Sequence, residues 1–493
     1  MKLLPSLLST SALVLAATTA VYGGDYSPTS PVRPSAGVLN DWLRKDDPYM
    51  ASWDFGVQTR LRYEMKENGG FVGGAGSAND FRKNGVDNDN SYLLYRVKPR
   101  IGYTHEWFSV FLEGRMSGST GDDRNPNPES DGPIDLHQAY VTVGNHKEFP
   151  FSLKVGRQEL SYGDERLIGA FNWNNIGRVF DAAKVRWQNP WFGADFFASR
   201  VIIPDDNNFN LPNDYDWFFG MYASTKKIPK QTTEFYLLSR NTSPKSPTVN
   251  GLGLPALLNG PSARDIYTAG VRLKSTPGEL GNWDYSGEFM GQYGHFNDPL
   301  LPVASRSLEH RAYALFAGGG YTWAQATWTP RLGLEYNLGS GDSNPNDGRH
   351  ETFENLFPTN HKFYGYMDFF SLQNIHNLRL TTSVKPLPRL TLLAEAHAFW
   401  LADTHDSLYT VAGARRGGIG PTPGNGYGIN STYKSYVGSE IDLIATYAVS
   451  PWATLELGYG HFFHGDYIRQ TFSNPAFGST DADYVYIQTN FSF

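Results

Sequence analysis

The sequence predicts an all-β fold, a transmembrane antiparallel β-barrel of about 18 strands with short periplasmic turns and long extracellular loops. Three observations carry this. Polar and apolar residues alternate with period two over most of the chain from Trp53 onward. The stretches between the alternating runs are by turns short and long. Aromatic residues make up 15% of the 493 residues, yet mean hydropathy is −0.43, too polar for a helical membrane protein.

The chain opens on Lys2, a short apolar run from Leu3 to Val14 and small residues from Ala16 to Ala20. Residues 1–24 are therefore expected to be a secretory signal peptide. Residues 25–50 form a Pro-containing periplasmic lead-in, with one helical turn expected around Val38–Arg44. The barrel is expected over 51–493.

In "SWDFGVQTRLRYEM", Trp53, Phe55, Val57, Leu61, Tyr63 and Met65 alternate with Asp54, Gln58, Arg60, Arg62 and Glu64. Such a strand has two unlike faces. The same pattern recurs at 93–104, 107–116, 178–188, 266–274, 283–293, 390–400, 440–449, 454–462 and 484–493. Between these runs "THEW", "NP" and "SPW" are short turns, whereas "SGSTGDDRNPNPESDGP" and "SGDSNPNDGRHETFENLFPTNH" are long polar loops. The last run ends on Phe493, a terminal aromatic of the kind that barrel-assembly machinery reads.

An alternating closed sheet could be a soluble sandwich or a membrane barrel. Aromatics near strand ends (Trp53, Tyr63, Tyr103, Trp107, Trp187 and Trp191) favour interfacial girdles. Small apolar positions such as Ala183, Ala269, Ala394 and Ala445 suit a lipid face better than a packed core.

The polar face is the informative one. Net charge is −7, yet by parity the inward positions are mostly basic: Arg60, Arg62, Arg96, Lys98, Arg100, Arg115, Arg178, Lys184, Arg186 and Arg272. Carboxylates share that face at Asp54, Glu64, Glu113, Asp284, Glu288, Glu395, Glu440 and Asp442. A cationic lining on a low-dielectric wall would concentrate anions in a water-filled lumen. The alternative is a structural ladder in which the charges pair across the wall.

The stretch "LKVGRQELSYGDERLIGAFNWNNIGRVFDAAKVRW" resembles the alginate-export family of bacterial outer-membrane porins, through Gly156-Arg157-Gln158, Leu160, Trp173 and 181–187. "LGSGDSNPNDGRHETFENLFPTNHKFYGYMD", "NIHNLRL", "LTLLAEAHAFW", "GSEIDLIATY" and "LELGYGHFFHGDYI" are also similar to that family. The resemblance implies a monomeric 18-stranded barrel with an electropositive constriction, passing a linear polyuronate. It implies a conduit role for Arg157. Parity with Leu153 and Val155 points that side chain at lipid, so a bulge at Gly156 is expected to turn it inward.

No nucleophile elbow, P-loop, dinucleotide fingerprint or HExxH is present. The chain has no cysteine, which excludes disulfides and Cys-ligated zinc. His461 and His464 are expected to be ordinary rim residues, and Asp342, Asn344, Asn346 and Asp347 approach a calcium loop without its closing Glu. No enzyme activity, cofactor, metal or nucleic acid is expected. The expected partners are outer-membrane lipid, barrel-assembly machinery, an anionic polysaccharide or other anionic solute, and periplasmic export proteins. The expected function is passive conduction of anionic solutes across the outer membrane of a Gram-negative-type bacterium. A general or substrate-specific diffusion porin and a plugged structural or adhesive barrel are the alternatives.

Overall fold

A computed structural model describes residues 38–69, 81–85, 87–124, 127–145, 147–205, 208–243, 263–298, 307–416 and 423–492. The expected signal peptide and Phe493 lie outside the described residues.

The strands are β1 (Trp53–Glu67), β2 (Asn90–Thr104), β3 (Phe108–Thr120), β4 (Asp131–Val143), β5 (Phe151–Gln158), β6 (Phe180–Gln188), β7 (Phe192–Ile203), β8 (Leu211–Thr225), β9 (Gln231–Thr242), β10 (Arg264–Ser275), β11 (Trp283–Asn297), β12 (Ser307–Thr322), β13 (Arg331–Gly339), β14 (Arg349–His350), β15 (Ile375–Leu387), β16 (Leu390–Leu401), β17 (Tyr436–Ser450), β18 (Ala453–His464) and β19 (Ala482–Ser492). All pair in one sheet of 19 strands, closed by β1 against β19. β14 is only two residues, paired parallel to β12 inside a loop. The other eighteen form an antiparallel wall, so the expected fold class and strand number hold.

Closure removes every strand edge, the condition for a sheet to sit in hydrocarbon, where a free backbone group has no partner. The two faces separate as the alternation requires. On β1, Leu61 and Tyr63 are 51% and 42% exposed, whereas Arg60, Arg62 and Glu64 between them are at most 4% exposed. Trp107, Trp191, Trp283, Trp323, Trp328 and Trp452 are all exposed at or beside short turns, a belt at the periplasmic edge.

The lead-in helix α1 (Val38–Asp46) seals the closing seam. Among the described residues β19 pairs with β1 from Gln58 onward, and the start of β1 has no strand neighbour on that side. Asn40 fills the gap: its Oδ1 accepts the Phe55 N–H at 2.8 Å, and its Nδ2 donates to Asp54 at 2.6 Å.

Two extracellular connections fold into the barrel. The segment 159–179, between β5 and β6, and the segment 351–374, ahead of β15, meet inside it. The Gly169 N–H donates to the Phe357 carbonyl, the Phe357 N–H to Leu167 and the Thr359 N–H to Glu165, each at 2.9 Å. Leu160, Ile168, Leu356, Phe357, Phe369 and Phe370 pack with inward wall residues such as Phe180, Phe218 and Phe399. This interior is thus a packed core, because two chain segments bring their own apolar side chains into it.

Candidate functional site: the charged interior

The inward face of β1, β2 and β3 carries the basic cluster. Arg60 and Arg96 oppose each other directly across β1 and β2. Like charges in that relation repel, so something must separate or neutralise them. The segment 172–176 does so with backbone carbonyls. Arg60 donates to Asn172 O at 2.7 Å and Asn174 O at 3.2 Å, and Arg96 donates to the same two oxygens at 3.2 Å. Arg62 donates to Trp173 O at 2.8 Å and Arg115 to Ile176 O at 2.9 Å. Four wall arginines therefore grip one inward turn by its peptide oxygens.

Other cations are paired with carboxylates. Arg62 lies 2.6 Å from Glu64, Lys98 lies 3.2 Å from Glu113, and Arg100 lies 3.5 Å from Asp54. Arg115 ion-pairs with Asp131, and Arg272 with Asp164 and Glu234. Lys184 and Arg186 share Asp195, at 3.3 and 3.2 Å. Asp284 accepts from Arg331 at 2.6 Å, Glu288 accepts from Tyr236, and Glu395 accepts from Arg379. Glu440 and Asp442 face inward on β17 with Glu395 opposite Asp442.

Nine of the expected basic residues thus stand on the inner face, but most of them do not look onto open water. Arg60, Arg62, Arg96, Lys98 and Arg115 are all nearly fully buried under the inward segments. Two positions are corrected. Arg178 precedes β6 and is not a wall residue; it donates to the carbonyls of Gly169, Phe357 and Pro358 at 3.0, 2.6 and 2.9 Å, tying the two inward segments together. Arg157 keeps the outward parity of Leu153 and Val155, because the β4–β5 register runs through Gly156 without a shift. Gly156 takes φ +128 to let its backbone approach the Ala139 carbonyl, and no bulge turns the arginine inward. Arg157 instead pairs with Asp181 at 2.9 Å, donates to Asn210 O at 3.1 Å and lies against the Phe209 ring.

Three contributors had no role assigned from the sequence. Lys154 sits inward between Leu153 and Val155, directly opposite Lys184, with its ammonium 3.6 Å from the Tyr140 ring and no described carboxylate within ion-pair distance. The parity that places Arg157 outward would have found it. Trp173 stacks on His361 with centroids 3.7 Å apart and carries the Arg62 guanidinium at 3.9 Å. Lys362 reaches Glu165 at 2.8 Å. The last two contacts join the inward segments and have no local sequence signal.

In the outer loops, Asp342 and Asp347 cap the backbone N–H groups of Asn344 and Arg349, which makes this stretch a run of side-chain-capped turns. Burial, with Asp406 and Glu351 nearby, pushes the Asp342 carboxyl up to about 6. His461 and His464 pair separately with Asp483 and Asp481.

Comparison with known proteins agrees with this architecture. Solved structures with a similar fold include Acinetobacter baumannii OccAB1 (TM-score 0.53, 11% identity, covering 94% of this chain and 100% of that one). Pseudomonas aeruginosa OccD3 (OpdP) is similar at TM-score 0.52 and 12% identity, covering 94% of this chain and 99% of that one. Pseudomonas aeruginosa OpdQ is similar at TM-score 0.52 and 10% identity, covering 90% and 97%. A search of the curated proteins found no match. The family model described as "Alginate export" matches residues 52–476, nearly the whole barrel. Its family and its fold are those of outer-membrane channels, and the chain belongs to the alginate-export family.

Proposed function

We propose that this barrel is a passive outer-membrane channel for anionic solutes, with an acidic oligo- or polysaccharide such as alginate as the class it passes. The observation that carries this reading is a set of inner-wall cations that lack a carboxylate of their own among the described residues. Among the described residues Arg60, Arg96 and Lys154 make no ion pair, and Lys154 faces Lys184, which shares Asp195 with Arg186. Like-charge neighbours of this kind are unfavourable in isolation and favourable when an anion passes them. Lys154 and Lys184 are both half-buried, with a 22% exposed side chain at Lys184, and on this reading they are the pair that takes the carboxylate. Arg60, Arg62, Arg96, Lys98, Arg100, Arg115 and Arg272 act behind them as a fixed positive field and as supports of the inward segments. No step of chemistry is required: each weak site exchanges part of the hydration of a carboxylate and releases it to the next.

The test is single-channel current in a planar bilayer under a salt gradient, with polyuronate added afterwards. The expected result is anion selectivity and polyuronate block, with Lys154→Glu/Lys184→Glu weakening the block by about tenfold or more and moving the reversal potential toward cations. A large, weakly selective, unblocked current would leave a general diffusion porin. The packed apolar interior favours one second reading, a barrel plugged by its own loops, for which almost no current is the expected result.

A further inference from the structure

On the inner face of β16 and β17, four metal-ligating side chains occupy one block. Glu395 opposes Asp442 and His397 opposes Glu440 across the two strands. Alternate residues on a strand share a face, so an E-x-H run beside an E-x-D run brings all four together. The His397 Nε2 lies 3.3 Å from Glu395 Oε2 and 3.9 Å from Asp442 Oδ2. One donor atom from each of Glu395, His397 and Asp442 fits within 4.8 Å of the others. All four residues are at most 4% exposed.

The charges do not balance. Three carboxylates stand here against one guanidinium, Arg379, which also lies 3.7 Å from Glu335. Arg379 and His397 serve Glu395, but no cationic side chain reaches Glu440 within ion-pair distance among the described residues. Among the described residues, Glu440 Oε2 and Asp442 Oδ1 are buried and have no hydrogen-bond partner. A buried carboxylate without a countercharge is strongly unfavourable, and two side by side are more so.

We propose that Glu395, His397 and Asp442 bind a divalent transition-metal ion, with the Glu440 carboxylate beside them. The donor set is one imidazole nitrogen with carboxylate oxygens, which suits Zn²⁺ or Mn²⁺ better than an all-oxygen ion such as Ca²⁺. The Asn377 Nδ2 lies 3.2 Å from His397 Nδ1 and its Oδ1 accepts from Asn337 at 3.0 Å; coordination through Nε2 puts the ring proton on Nδ1 and therefore requires the Asn377 amide to turn its oxygen toward the ring. The ion also has a structural consequence. The Met367 N–H donates to Glu440 at 2.9 Å and the Tyr366 N–H reaches Asp442 at 3.5 Å, so the metal fastens the turn of the second inward segment to the wall. The proposal is independent of what the channel conducts.

The test uses the full-length barrel purified from outer membranes in chelator-free detergent, analysed for metal, then stripped with EDTA and titrated with Zn²⁺ and Mn²⁺. The expected result is about one equivalent of metal per chain and saturable rebinding, weakened at least about tenfold in His397→Gln and Asp442→Asn. For the wild-type protein, X-ray absorption at the Zn edge should show one imidazole with oxygen ligands, which keeps the test decisive if a variant does not fold. No retained metal and no saturable binding would overturn the proposal and leave a proton shared between Glu440 and Asp442. Binding unchanged in both variants, or a ligand shell without imidazole, would overturn it equally.

Discussion

Trp173 is one of the points at which the two inward segments are held together, so Trp173→Ala should loosen them from each other. The indole lies between the Arg62 guanidinium, 3.9 Å from its centroid, and the His361 ring, 3.7 Å away and inclined by 8°. Tyr486 meets it edge-on at 5.1 Å. A desolvated cation–π contact is worth roughly 1–2 kcal/mol, and each ring contact roughly 0.5–1.5 kcal/mol. Their sum is about 2–5 kcal/mol, taken as pairwise contacts alone. At ~1.4 kcal/mol per factor of ten, a loss near 3 kcal/mol raises the separated population of the two segments about a hundredfold. The barrel itself should survive, because Arg62 keeps Glu64 at 2.6 Å and its bond to the residue 173 carbonyl is a backbone contact. The assay is single-channel recording of a variant whose folding is confirmed by heat-modifiable gel mobility. Higher mean conductance, or frequent excursions to a wider substate, is expected. A folded Trp173→Ala barrel with unchanged conductance and no new substate would refute the clamp.

Two further outcomes follow from the same geometry. Asp342 in the loop after β13 is held up at about 6, chiefly by burial; a raised carboxyl contributes stability that is full below its unfolded value and lost as pH rises through about 6. Hydrogen exchange of the backbone around 340–353 should therefore quicken between about pH 4 and 6, and Asp342→Asn should flatten that rise; an identical slope in the variant would exclude Asp342 as its source. At Gly156, φ +128 and the nearby Ala139 carbonyl leave no room for a Cβ, so Gly156→Ala should cost about 1–3 kcal/mol and lower the temperature at which the folded gel band disappears; a wild-type melting temperature would show that the backbone relaxes freely there.

The surface of this protein was legible in its sequence because a strand's faces are set by parity alone. Leu61 and Tyr63 face out, and Arg60, Arg62 and Glu64 face in, for the same reason that the pattern alternates at all. The same parity placed Arg96, Lys98, Arg100, Arg115, Lys184, Arg186 and Arg272 on the inner wall, and it would have placed Lys154 there and Arg157 outside had it been applied without an expected bulge. The helix at Val38–Asp46 was visible in outline as a short turn, but its task was not. That Asn40 stands in for a missing strand neighbour depends on where β19 ends beside β1, at the opposite end of the chain.

What only the tertiary structure decided is the interior. Arg60 meets Asn172 across 112 residues of sequence, and Arg178 meets Phe357 across 179. No periodicity encodes such contacts, because each joins a wall residue or an inward loop to a loop with no regular structure of its own. Alternation therefore determined that a cation stands inside the barrel. Whether it meets water, a carboxylate or a peptide oxygen depends on which loops fold in, and that is settled by packing among Trp173, His361, Phe357 and the residues that hold them.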